Sequence, residues 1–290
     1  MGKDIKLTAS DNFQLGGYRA DPATPPKAAI VVIQEIFGVN HHIRAVCDRL
    51  ANEGYVAIAP AIFDRVERNF QCGYSPEEVA VARKFVANPD WAAMLRDTQA
   101  AIDAVKDVGA VGIIGFCLGG SVAYAAATKL SGLSAAIGYY GGAIVRLADD
   151  KPDVPTQLHF GEKDAGIPLS DVETIRAKRP EVEIHVYPGA QHGFHCDERA
   201  SYDKSSADIA WPRSLAFFAR HLKKYSAGKH LPASFRGAPA RTSDLQLQIR
   251  ESRDSGFGAE PVIGPRPART RWHRPAMTKH VVAPCEAIRR

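Results

Sequence analysis

Ile113-Ile114-Gly115-Phe116-Cys117-Leu118-Gly119-Gly120 decides the fold of this chain. The apolar run Val111, Ile113, Ile114 reads as a buried strand, and the small-residue run from Ser121 to Ala127 reads as a helix. Between them stands G-x-C-x-G, the nucleophile elbow G-x-S-x-G with sulfur in place of oxygen. Such a turn holds its apex residue in a strained conformation. Side chains two residues to either side would collide with the neighbouring strand and helix, so glycine is needed there. A cysteine at the apex also faces the N-terminus of the following helix, whose partial positive charge favours a thiolate. The stretch predicts covalent catalysis by a thiol carried on an α/β sheet.

Outward from the elbow, short apolar runs alternate with amphipathic segments. Strands are predicted at Ile5–Thr8, Gln14–Arg19, Ala28–Gln34, Val56–Pro60, Gly112–Gly115, Ala135–Tyr140, Thr156–Phe160 and Glu183–Tyr187. Helices are predicted at Ile43–Glu53, Pro76–Ala87, Trp91–Asp107, Leu118–Lys129, Leu169–Ala177 and Ser206–Lys224. The first two strands read as an antiparallel hairpin turning near Asp11-Asn12. From Ala28 the βαβα alternation implies a mostly parallel sheet with helices on both faces.

The length of 290 residues suits one large α/β domain or two small ones. Hydrophobic content of 45% and charged content of 24% are those of an ordinary globular protein. Apolar runs such as Ala28 to Ile33 are too short to cross a bilayer, and Met-Gly-Lys-Asp-Ile-Lys lacks the apolar centre of a signal peptide. Cys47, Cys72, Cys117, Cys196 and Cys285 are scattered and show no C-x-x-C spacing. That pattern argues against a disulfide framework and a zinc site, and for a reducing cytoplasm. No cofactor is expected. Residues 227–290 carry 12 Lys+Arg against 5 Asp+Glu, whereas residues 1–226 carry 25 against 27. The net charge of +5 therefore belongs to the end of the chain, and the body has no electrostatic reason to bind nucleic acid. Residues 1–226 are predicted to form the catalytic domain. Residues 227–290, rich in Pro, Arg, Gly and Ser, are predicted to be a disordered extension.

A thiol nucleophile needs a base, and the base an orienting carboxylate. On sheets of this kind they follow in the order nucleophile, acid, histidine, each at a strand end. Asp164 in Gly161-Glu162-Lys163-Asp164 follows the strand Thr156–Phe160, and His192 in Gln191-His192-Gly193-Phe194 follows Glu183–Tyr187. Glu162 and Asp153 are rivals for the acid, and His195 and His159 for the base. The loop Gln34-Glu35-Ile36-Phe37-Gly38-Val39-Asn40 ends another strand. In α/β-hydrolases this loop donates one oxyanion-hole N–H and the residue after the nucleophile the other, which here gives Ile36 and Leu118. Glu35 is a carboxylate placed to hold or accept the thiol proton.

These motifs, over roughly residues 3–225, resemble the dienelactone hydrolase family (carboxymethylenebutenolidases) of α/β-hydrolases. The resemblance implies that Cys117, His192 and Asp164 open a lactone ring through an acyl-enzyme, with Glu35 exchanging the Cys117 proton. Members of the family grip the substrate carboxylate with two arginines. One stands four residues after the histidine, where this chain has Cys196; Arg199 is nearby. Arg83 is a candidate for the other. The expected activity is hydrolysis of a lactone or small carboxylic ester, the partner being that small molecule and no membrane. A general esterase or thioesterase, a catalytically silent binding module and a redox-sensing thiol remain as alternatives.

Overall fold

The computed structural model describes residues 2–222. The predicted extension 227–290 lies outside the described residues. All eight predicted strands are present: β1 (Lys3–Thr8), β2 (Gln14–Ala20), β3 (Ala29–Ile33), β4 (Val56–Pro60), β5 (Val111–Phe116), β6 (Leu133–Tyr139), β7 (Thr156–Gly161) and β8 (Glu183–Tyr187). They form one sheet in the order β1-β2-β4-β3-β5-β6-β7-β8. β1 and β2 pair antiparallel, as do β2 and β4; every other neighbour pair is parallel.

β3 shows why the β-branched runs become strands here. All five of its residues are buried. Ile30 and Val32 pack on one face with Ile43, Val46 and Leu50 of α1 (His41–Asn52) and Phe217 and Phe218 of α7 (Lys204–His221). Ala29, Val31 and Ile33 pack on the other with Met94 and Leu95 of α3 (Trp91–Asp103) and Val122 and Ala126 of α4 (Leu118–Lys129). A strand covered on both sides reads as continuous apolar sequence rather than as alternation.

Helix ends depart from expectation for local reasons. α1 and α7 start two residues early because Asn40 and Asp203 accept backbone N–H groups as N-caps. α2 (Pro76–Lys84) ends before Ala87, and Phe85 stacks with Phe70 at 4.0 Å between ring centroids. α3 stops at Asp103, followed by a short 3₁₀ turn at Lys106–Val108, because the chain turns through Gly109 (φ 141°) into β5. α5 (Ile144–Leu147) is a single turn, too short to show a helical period, and was not expected. α6 (Leu169–Lys178) ends one residue later than its prediction.

The strand order places the site. From β3 the chain crosses to β4 on one side, while β5 lies on the other. The loops leaving β3 and β5 therefore diverge, and parallel sheets bind ligands in the crevice so formed. Ile33 pairs with Gly115 and Phe116 with Tyr139, so the loops after β3, β5 and β6 emerge side by side.

Candidate active site

Cys117 sits between β5 and α4 with φ 55° and ψ −116°, a left-handed conformation rare for a side-chain-bearing residue. Its N–H donates to the Tyr139 carbonyl at 3.0 Å, and its own carbonyl accepts from Gly120 at 3.0 Å. The flanking glycines are sterically required. A methyl group on Gly115 would lie 1.9 Å from the Gly119 carbonyl oxygen, and one on Gly119 would lie 2.3 Å from that of Ile33. The turn thus presents a half-buried thiol at the start of α4. Among the described residues no hydrogen bond engages the backbone N–H of Ile36 or Leu118, and both residues are partly exposed. Two free donors are therefore available, one on the loop after β3 and one at the first residue of α4.

The structure brings His192 and Asp164 to this thiol. His192 Nδ1 lies 2.7 Å from Asp164 Oδ2, while Asp164 Oδ1 accepts from the Gly166 N–H at 2.9 Å. The Asp164 side chain is fully buried, so this carboxylate is held from both oxygens. The His192 ring also lies within electrostatic reach of the Cys117 side chain. Burial alone would lower its pKa. The Cys117 charge and the Asp164 hydrogen bond outweigh burial and raise it to about 10. The rivals lie elsewhere. Glu162 accepts from the Gly189 N–H, and Asp153 is exposed ahead of β7. His159 is locked inside the sheet between Tyr187 and Gln157, and His195 is buried against Phe116 and Arg49. Burial lowers both of these histidines well below the ordinary range.

The shift has a testable consequence. A raised folded-state pKa means that His192 keeps its proton through neutral pH. Its contribution to stability is whole below the ordinary value of 6.5 and is lost as the pH rises through about 10. In an NMR titration the His192 ring is expected to titrate above pH 8, and Cys117→Ala to bring the midpoint down by about one pH unit or more. A midpoint unmoved by that substitution would contradict the assignment of the shift to the sulfur.

Glu35 is 1% exposed, and its Oε1 accepts from Arg199 Nη1 at 2.9 Å. Its Oε2 is buried without a partner. Arg199, whose guanidinium also faces the rings of Phe37 and Tyr74, lines a cleft of about 280 Å³ with Tyr74, Val79, Gln191, Ala200 and Ser201. The segment 65–73 crosses this region. Gly38 bridges to Gln71, the Cys72 N–H donates to the Phe37 carbonyl at 3.1 Å, and Asn40 Nδ2 donates to the Tyr74 hydroxyl at 3.0 Å. Cys196, at the expected arginine position, is buried and donates to the Tyr74 hydroxyl at 3.3 Å. A guanidinium reaches this cluster from Arg199 through its ion pair with Glu35. Arg83 is exposed in the last turn of α2 and has no hydrogen bond or ion pair to this cluster.

Sequence reasoning missed Tyr140. It follows β6 with φ 37°, is fully buried and has a hydroxyl without a partner. Burial and the neighbouring Glu35 raise its pKa well above the ordinary value, and its ring lies 5.0 Å from that of His192. Only a tyrosine at a strand end marked it in sequence, and that is a common placement.

A mostly parallel eight-stranded sheet, begun by an antiparallel hairpin and carrying a cysteine elbow after β5, defines an α/β-hydrolase. The profile of the dienelactone hydrolase family matches residues 15–222, and the chain belongs to that hydrolytic family. A Synechocystis protein provisionally named carboxymethylenebutenolidase is 38% identical over 247 residues, 77% of this chain and all of the relative. An Escherichia coli K12 protein of the same provisional name is 34% identical, covering 74% of this chain and 85% of its own. The crystal structure of a provisionally named dienelactone hydrolase from Klebsiella pneumoniae superposes with a TM-score of 0.68 at 32% identity, covering 76% of this chain and all of that one. Among the described residues no helix is long and apolar enough to cross a membrane.

Proposed function

We propose that this hydrolase opens a lactone or small carboxylic ester that carries a negative charge, through an acyl-thioester on Cys117. The observation that carries the reading is the 2.7 Å contact of His192 with buried Asp164, beside a cysteine held on a left-handed elbow. The thiolate attacks the ester carbonyl carbon and forms a C–S bond. The oxygen that becomes anionic is met by the Ile36 and Leu118 N–H groups. Collapse breaks the C–O bond, and the imidazolium gives its proton to the leaving oxygen. In a lactone that oxygen stays attached through the acyl chain. Neutral His192 then takes a proton from water, whose oxygen attacks the thioester carbon and expels the thiolate. Asp164 keeps the ring in one tautomer throughout.

Arg199 and Glu35 point to the charge of the substrate. A substrate carboxylate entering the cleft competes with Glu35 for the guanidinium, a charge-assisted contact. Its capture releases Glu35, which can then take the proton from any Cys117 still in the thiol form and leave the reactive thiolate. Arg199→Gln is expected to raise KM for a lactone bearing a carboxylate by about 10- to 100-fold, with far less effect on a neutral aryl ester. Steady-state kinetics on the two substrates checks this, with the folding midpoint measured alongside because the substitution leaves Glu35 unpaired. Equal losses on both would remove Arg199 from substrate binding. Faster turnover of neutral esters or acyl thioesters than of any lactone would favour a general esterase.

A further inference from the structure

Beyond the ester chemistry, we propose that Glu35, His42 and Cys196 form a binding site for a thiophilic divalent cation, with zinc as the best match. Among the described residues this group of three offers one carboxylate oxygen, one ring nitrogen and one sulfur within 4.8 Å of one another, all on buried side chains. The three come from the loop after β3, the first turn of α1 and the loop beyond His192, so no spacing in the sequence reveals them.

Two observations point to a ligand. Glu35 Oε2 and His42 Nε2 are both buried without a partner, on residues 1% and 3% exposed. Buried polar atoms are almost always satisfied, and a cation between them would satisfy both. The other nitrogen of His42, Nδ1, lies 3.5 Å from Asp197 Oδ1. A carboxylate behind a ligating imidazole is the usual outer support of metal-bound histidine. One carboxylate, one imidazole and one thiolate make a three-ligand set that zinc accepts, with the fourth position left for water. Ligand atoms around a tetrahedral zinc stand about 3.5 Å apart, so closing the site needs side-chain shifts of about 1 Å.

Charge is compatible. On binding, the Cys196 thiol loses its proton to solvent and forms the sulfur–metal bond, so two anionic ligands balance the ion. Arg199 is the positive group facing the site, and it occupies Oε1 of Glu35 while Oε2 remains for the metal. A bound ion would hold Glu35 away from Cys117 and slow hydrolysis. That consequence, though not the binding itself, rests on the reading of Glu35 given above.

Cobalt(II) serves as the probe, added to the full-length Cys117→Ala protein so that the nucleophile cannot supply the thiolate. A near-ultraviolet sulfur-to-cobalt charge-transfer band displaced by zinc is expected, and it disappears when Cys196→Ala is added. Cys196→Ser and His42→Gln, with folding checked by circular dichroism, repeat the loss if one variant fails to fold. With wild-type Cys117, zinc is expected to inhibit ester hydrolysis, and Cys196→Ala to weaken that inhibition at least about tenfold. No band, or a band that survives without Cys196, overturns the site. A Cys196-dependent band without zinc inhibition keeps the site and overturns its link through Glu35 to hydrolysis.

Discussion

Cys117→Ala is expected to lower kcat for an activated aryl ester by about 10³- to 10⁴-fold while leaving the fold in place. The proposed thiolate is the only protein atom in the scheme that bonds to the acyl carbon. Without it, the residual rate comes from binding and from the N–H groups of Ile36 and Leu118. Alanine keeps the Cβ that already occupies the left-handed apex, and the thiol is half-buried rather than part of the tight core. The thermal midpoint therefore serves as a control and should move little. Steady-state kinetics together with calorimetry reads both quantities. Retention of full activity in a folded variant would remove the thiol from the chemistry and leave the family assignment standing.

The largest stability effect is expected at Gly115→Ala. The added methyl carbon would lie 1.9 Å from the Gly119 carbonyl oxygen and 2.9 Å from the Gly120 nitrogen. Both are backbone atoms at the start of α4. Gly119 cannot retreat, because its own missing side chain is what lets it lie against the Ile33 and Gln34 carbonyls of the next loop. The clash therefore spreads into β3, the strand on which both cores are built. The cost should be about 3 kcal/mol or more, a fall of about 10 °C in Tm for a domain of this size. Calorimetry checks it. A Tm within about 2 °C of wild type would mean that the elbow is looser than its geometry implies. Activity should fall as well, since any relaxation displaces Cys117.

Much of the architecture was legible because its signals are local. Each strand is a short apolar run bounded by polar or glycine-containing loops, and β3 is apolar throughout because it is covered on both faces. The chain order of Cys117, Asp164 and His192 could be read because each follows a strand, and parallel register brings strand ends together. Contacts made across the crevice could not be read. Arg199 reaches Glu35 across 164 positions of sequence. Tyr74 meets Cys196 only because segment 65–73 crosses the loop after β3 at Gly38. His42 joins Glu35 and Cys196 from the first turn of α1, a position that reads as helix sequence and nothing more. Sequence placed Cys196 where an arginine was expected but could not show that Arg199 would pair with Glu35.

In the proposed reaction an acyl group passes through the sulfur of Cys117. This step is tested most directly by quenching the enzyme in acid during turnover of an activated ester and measuring the protein's mass. An increase equal to the acyl group is expected, located to the peptide containing Cys117, removed by hydroxylamine and absent from Cys117→Ala. His192→Ala, which lacks the base for the water step, should accumulate the adduct for longer. Turnover with no adduct on Cys117 under any quench, or an adduct on another residue, would contradict it.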